Sequence, residues 1–168
     1  MSEPFRVEFQ IEDDLDLAFQ RAIDAALDMT APMRDIAGHL ADAARDRFET
    51  STGPDGRPWK PSERAKEEGG KTLVLSGDLV NSIVEDWGPT HAAAGPERSG
   101  GAAIYARIHQ FGGTIVPRVK QALHFAGRIL AKVVIPARPY LGWTAADTDY
   151  AIGSISEHLA RAFRGSAT

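Results

Sequence analysis

Five histidines, His39, His91, His109, His124 and His158, are the side chains best suited to act as bases or metal ligands near neutral pH. No two stand four apart, the spacing that would set two imidazoles on one helical face around zinc. The chain has no cysteine, which excludes disulfides, thiolate catalysis and cysteine-held metal. Gly70-Lys71-Thr72 carries the closing letters of a phosphate-binding loop, but position 65, where its first glycine belongs, is Ala65. The adjacent acids Asp13-Asp14 and Glu67-Glu68 read as caps or a solvated face rather than as an acid–base pair. Ser76-Gly77 lacks the flanking glycines of a nucleophile elbow. No residue set therefore reads as catalytic, as metal-binding or as cofactor-binding.

One local grouping has the residue types for hydrolysis. In Tyr105-Ala106-Arg107-Ile108-His109-Gln110-Phe111-Gly112-Gly113, His109 would be the base and Arg107 and Lys120 the cations of a small metal-independent nuclease or hydrolase. No carboxylate cluster accompanies them. The structural alternative gives Tyr105, Ile108 and Phe111 a buried face and has His109 hydrogen-bond to backbone beside the glycines; it is the stronger of the two. A second grouping is Ile135-Pro136-Ala137-Arg138-Pro139-Tyr140-Leu141-Gly142. Two prolines each fix φ and remove a backbone donor, so the segment continues neither a ladder nor a helix. It reads as a stiff joint with Tyr140 and Leu141 on the core. Arg138 has little conformational freedom left to lose there, which suits a contact residue.

The elements that must position these groups follow from periodicity. Phe5, Val7, Phe9 and Ile11 alternate with polar residues and predict a strand. Asp13 or Asp14 caps a helix carrying Leu15, Phe19, Ala22, Ile23, Ala26 and Leu27. Thr30-Ala31-Pro32 interrupts it, with Thr30 as a cap, and Met33, Ile36, Ala37, Leu40, Ala44 and Phe48 continue at helical spacing, as a second helix or as one kinked at Pro32. His39 falls at the boundary of that face. Residues 50–71 are turn chemistry, a loop expected to be flexible, with Trp59 pinning it to the core. Ser76 or Asp78 caps a helical turn through Val80 and Ile83. Residues 84–95 read as a hairpin about Gly88-Pro89, and residues 102–111 as a short helix closed by Gly112-Gly113. Residues 114–116, 122–125 and 129–135 are strand-like. Thr144-Ala145-Ala146-Asp147 resembles a capping box opening a helix with Tyr150, Ile152, Ile155, Leu159 and Phe163 inward, ahead of a polar tail at 164–168.

The expected architecture is thus a single α+β domain spanning residues 1–168. It has an N-terminal strand and helical pair, a mixed or antiparallel sheet with long loops, and a C-terminal helix. Its 168 residues, 43% hydrophobic and 25% charged, are ordinary globular composition and long enough to bury a core. A further alternative is a DNA-contacting module whose Arg and Lys loops touch phosphates, but the formal charge of -4 shows no net basic excess for nucleic acid. With neither a basic–apolar leader nor an apolar run of membrane-spanning length, the expectation is a soluble protein made in a cytoplasm.

Several stretches occur in a telling order. A helix ends near Phe48, and Gly53-Pro54-Asp55-Gly56-Arg57-Pro58-Trp59-Lys60-Pro61 follows. Next come Lys71-Thr72-Leu73, Ser76-Gly77-Asp78-Leu79 with Ser82-Ile83, Tyr105-Ala106 with His109-Gln110-Phe111-Gly112, and finally the 135–142 joint. In this the chain resembles the bacteriophage virion morphogenesis family, the tail-completion or neck proteins of Mu-like and P2-like contractile-tailed phages. It departs from them at residues 62–70, which are short and lack a long basic segment. The resemblance implies a structural protein of the virion tail or neck, made in the host cytoplasm, with no catalytic residues to carry over. It implies a homo-oligomer with a ring among its arrangements, partnered by tail tube, terminator or connector proteins. DNA would at most pass through the lumen, and no membrane is involved. Trp59, Tyr105, His109, Arg138 and Tyr140 are the residues assigned to interaction, with Arg138 facing an adjacent subunit's acids.

Overall fold

A computed structural model describes residues 14–99, 101–117, 123–125 and 128–165. The strand expected at Phe5 to Ile11, the cap at Asp13 and the cation Lys120 lie outside the described residues. Helix α1 is Asp14–Leu27 and helix α2 is Thr30–Thr50. They are two helices, because Asp28 interrupts: its Oδ1 accepts the Thr30 N–H at 3.0 Å. Asp28 thereby takes the capping role expected of Thr30, which is itself helical. Pro32 falls in the first turn, where its missing N–H forfeits no helical bond.

Helix α2 is the element against which the others pack. Pro32, Ile36, Ala37, Ala41, Ala44 and Phe48 are buried along it at three- and four-residue spacing. The three alanines have no bulk, so neighbours approach the helix closely. Strands β1 (Ile83–Gly88) and β2 (His91–Pro96) pack there as an antiparallel hairpin, with Gly88 opposite His91 across a two-residue loop. Helix α6 (Ala145–Arg164) packs on α2 as well, opened by the complete Thr144–Asp147 capping box. Helix α1 then lies antiparallel on α6: Arg21 donates to the Ala162 and Phe163 carbonyls at 3.2 and 3.3 Å, and His158 Nε2 donates to the Ala25 carbonyl at 3.1 Å.

Residues 50–71 have structure of their own. Ser51 ends α2 in the left-handed region at φ 55°. Thr52 bridges to Pro58, Gly53 N–H donates to the Arg57 carbonyl at 2.8 Å, and Trp59 N–H donates to the Ser51 carbonyl at 2.8 Å. Helix α3 (Glu63–Glu67) follows, capped by Ser62, and Lys71 pairs with Glu49. After α4 (Asp78–Asn81) and the hairpin comes α5 (Ala103–Phe111), stopped by Gly112 at φ 70°. A Cβ on Gly112 would stand 2.7 Å from the Ala137 nitrogen, so the turn accepts only glycine.

The remaining strands are β3 (Gly113–Ile115), β4 (Leu123–Phe125), β5 (Arg128–Leu130) and β6 (Val133–Ile135). β3 pairs with β6 and β4 with β5, both antiparallel. The single sheet expected from sequence is therefore three two-stranded ladders among the described residues. The 129–135 run breaks at Ala131-Lys132 because β5 and β6 pair with different partners. The fold is α+β, as its periodicities imply.

Three expected faces are turned differently. On α1 only Ala18 is buried, and Phe19, Ile23 and Leu27 stand 53%, 54% and 77% exposed. Its apolar stripe is wider than the strip that one helical neighbour covers. On α6, Ile152 points outward and Tyr150 is partly exposed over His39 of α2, while the inward line runs through Asp147, Ala151, Ile155, His158 and Ala162. On α5 the buried residue is Ala106, with Ala102 just ahead of the helix, and Phe111 is 72% exposed. The small side chains face in because the helix lies close over Tyr140.

Candidate interaction site

Residues 136–144 form an irregular connector from β6 to α6, and nearby side chains bind its backbone at successive positions. Arg138 N–H donates to the His109 carbonyl at 2.7 Å. The Pro139 carbonyl accepts from Trp59 Nε1 at 3.0 Å, and the Tyr140 carbonyl accepts from Arg47 Nη1 at 3.0 Å. Gln110 acts as a substitute strand. Its Oε1 accepts from the Tyr140 and Leu141 N–H groups, both at 3.0 Å, and its Nε2 donates to the Leu141 carbonyl at 2.8 Å. A prolyl-rich segment cannot enter a regular ladder, so these side-chain partners meet its backbone's need for hydrogen bonds. Pro54 lies against Gly142 so closely that no Cβ fits there.

Two of the connector's side chains, Arg138 and Tyr140, are directed inward, and Trp59 meets them from the 50–71 segment. Tyr140, Arg138 and Trp59 are 1%, 5% and 6% exposed. Tyr140 packs against Phe48 with ring centroids 5.1 Å apart, and Trp59 meets Phe48 edge-on at 5.6 Å. Tyr140 Oη donates to the Ala106 carbonyl at 3.3 Å, and burial pushes its hydroxyl pKa up to about 12. Arg138 Nε donates to the Lys60 carbonyl at 2.8 Å, and burial lowers its pKa. No acid among the described residues lies within ion-pair distance of Arg138.

A second set of charges ties this joint to the helices. Asp147 accepts from Thr144 N–H and Thr144 Oγ1 at 2.7 Å each and lies 2.8 Å from His39 Nε2. Arg47 Nη2 stands 3.9 Å from the same carboxylate. Burial raises the Asp147 pKa, but the Thr144 bonds and His39 outweigh it and hold the group below its ordinary 3.8. His39 also stacks on Tyr150 at 4.0 Å, which makes it the boundary residue its position suggested.

The five residues singled out from sequence do converge. Tyr105 and His109 touch edge-on at 5.9 Å on α5, and the connector crosses beside them to Trp59. The hydrolytic grouping does not form. Arg107 is exposed, two residues and more than half a turn from His109, and Lys120 is outside the described residues. Burial, then the Arg138 charge, lowers the His109 pKa, and His109 Nδ1 is buried with no hydrogen-bond partner. The bond expected of its ring is made by its backbone carbonyl instead. Among the described residues there is no group of three or more potential metal ligands.

Gln110 and Arg47 were not singled out, and Asp147 was read only as a helix cap. Arg47 left a readable signal, a cation on the apolar face of α2 one residue from Phe48. Gln110 left none, since an amide's reach depends on what crosses it.

Beside the connector runs a groove of about 410 Å³ between α5, the end of β2 and residues 140–141. Buried Ala106 and Tyr140 lie at its base, with Phe111, Arg98 and Arg107 on its exposed sides. Residues 98–146 hold seven of the chain's 19 Lys and Arg and none of its 23 Asp and Glu. The net charge of -4 conceals a basic segment that contains α5, the groove's arginines and most of the connector.

Buried polar groups thus fix the connector's backbone, and open apolar surface lies beside it. The family profile described as phage virion morphogenesis matches residues 12–160. The chain is 31% identical over 154 residues to Mu-like prophage FluMu G protein 2 of Haemophilus influenzae, covering 91% of this chain and 94% of that protein. It is also 31% identical over 142 residues to protein G of Escherichia phage Mu, named provisionally for capsid assembly, covering 78% and 80%. No solved structure matches. The chain belongs to the phage virion morphogenesis family, and its role is in phage structure or assembly.

Proposed function

We propose that this protein completes the phage tail at the head–tail junction, acting through protein–protein contacts and without catalysis. The observation that carries this reading is the pairing of a rigidly held connector with uncovered apolar surface on α1 and along the α5 groove. A monomer's exposed apolar residues are ordinarily scattered, whereas contiguous ones mark contact sites. The expected form is a homo-oligomer, with ring closure, that meets tail tube, terminator or connector proteins. DNA at most passes through its lumen, facing cations of residues 98–146 without base readout. No helix among the described residues is long and apolar enough to cross a membrane. Trp59, Arg138 and Tyr140 act here by shaping the connector, and Tyr105 and His109 by supporting it from α5.

A second reading, capsid assembly, is favoured by the name given to the phage Mu relative. Deleting the gene from an inducible phage that carries it separates the two. Electron micrographs of the lysate are expected to show filled heads beside unjoined tails with defective ends. Missing or misshapen heads with normal tails would overturn the tail-end placement in favour of the capsid.

A further inference from the structure

We propose that α1 of one copy docks into the α5 groove of a second copy, so that the chain associates head to tail. This gives the homo-oligomer proposed above its contact, and rests on that reading only for its biological setting. Phe19, Ile23 and Leu27 lie four residues apart on α1, a line about 12 Å long at 1.5 Å per residue; each is more than half exposed, although one side of the Phe19 ring meets Phe163 of its own α6 edge-on at 5.5 Å. Asp16, Gln20 and Asp24 are exposed alongside it. The groove offers the complement: an apolar base at Ala106 and Tyr140, and the exposed cations Arg98 and Arg107. Neither arginine has an acid within ion-pair distance among the described residues; nearby Glu97 instead accepts from Ser99 Oγ at 3.1 Å. An acid-flanked apolar helix thus faces a cation-flanked apolar groove, the helix-in-groove mode of recognition.

The occupant comes from another molecule. Arg21 and His158 hold α1 against its own α6, and no α1 residue lines the groove. Because helix and groove are different surfaces, each copy presents one of each. Such a heterologous contact closes into a ring when its rotation allows and otherwise extends. Three side chains bury well under the roughly 800 Å² per partner of a stable complex. Single contacts are therefore weak, and association is steep in concentration and sensitive to salt.

The test uses the purified full chain. Arg98→Glu/Arg107→Glu and Asp16→Lys/Asp24→Lys should each weaken self-association at least about 100-fold in sedimentation velocity, since juxtaposed like charges cost several kcal/mol. An equimolar mixture of the two should recover it, because each variant's altered surface then meets a complementary one. The absence of cysteine permits a second readout: Gln20→Cys/Ser99→Cys treated with a short bis-maleimide should give a ladder of oligomers, and either cysteine alone none beyond a dimer. Unaltered association in both charge variants, no recovery on mixing, or a monomer without a ladder at millimolar concentration overturns the contact. So does loss of duplex DNA binding alone in the arginine variant, which would assign the cations to phosphate. These outcomes concern the contact only; the lysate micrographs read the tail-end role separately.

Discussion

Replacing Trp59 probes whether the connector is held by the turn that precedes α3. The indole is 6% exposed, meets Phe48 edge-on at 5.6 Å and donates to the Pro139 carbonyl at 3.0 Å. Trp59→Ala removes ring and bond together, and core truncations of this size cost about 3–5 kcal/mol. Against a total stability of about 5–15 kcal/mol, that removes from about a fifth to all of it. Trp59→Phe is the sharper variant. It keeps an aromatic against Phe48 and removes the donor to Pro139, for an expected loss of about 1–2 kcal/mol. Urea unfolding followed by circular dichroism measures both. Fluorescence adds a local readout, because Trp87 and Trp143 are 41% and 56% exposed and only Trp59 should emit as a buried indole. If Trp59→Ala costs less than about 1 kcal/mol and leaves the emission spectrum unchanged, the pinning argument is wrong.

Gln110→Ala should cost about 2–4 kcal/mol in urea midpoint measurements, since two amides and a carbonyl of residues 140–141 lose their partner; Gln110→Glu keeps the acceptor and should cost less. Gly112→Ala forces φ 70° on an L-residue and sets its Cβ against Ala137, so it should lower the melting temperature by several degrees, whereas an unchanged value would mean the turn is not as tight as described. Stability should fall with acid in two separate windows. His109 is held neutral in the fold while the unfolded chain takes up a proton near its ordinary 6.5, so stability drops as pH falls below about 6.5, and His109→Gln should flatten that limb in chemical unfolding at a series of pH values. Asp147 has its pKa lowered by folding, so its contribution is present above 3.8 and disappears as pH falls further, and Asp147→Asn should remove only this lower limb.

Elements whose signal is local were readable in the chain. The capping box at Thr144, the hairpin and the glycine stop after α5 each depend on neighbours within a few residues, and each formed, the hairpin's loop falling one residue later than expected, at Pro89-Thr90. Faces were less readable. Periodicity gave α1, α5 and α6 their apolar stripes, but which edge of a stripe is covered depends on partners distant in sequence. Phe111 and Ile152 point outward for that reason. The bonding network around the connector was illegible in the sequence. Trp59, His109, Arg138 and Tyr140 lie around one connector, which their separate motifs did not foretell, and Arg47 and Gln110 join Trp59 in bonding to its backbone, which leaves no mark on composition. The charge partition was in plain view. Summing charge over the whole chain erased it.

The bonds between α1 and α6 have a consequence for how the chain is made. Arg21 reaches carbonyls 141 and 142 residues further along. At about 5–20 residues per second, α1 is made roughly 7 to 30 seconds before its partner is complete. During that interval both its covered and its uncovered apolar edges face solvent. On a polysome, nascent copies follow one another closely, and each exposes the same helix before any has a settled place to lay it. Completion of α6 is thus the event that fixes α1 in orientation and restricts it to one free edge. Translation would then time assembly as well as supply its parts.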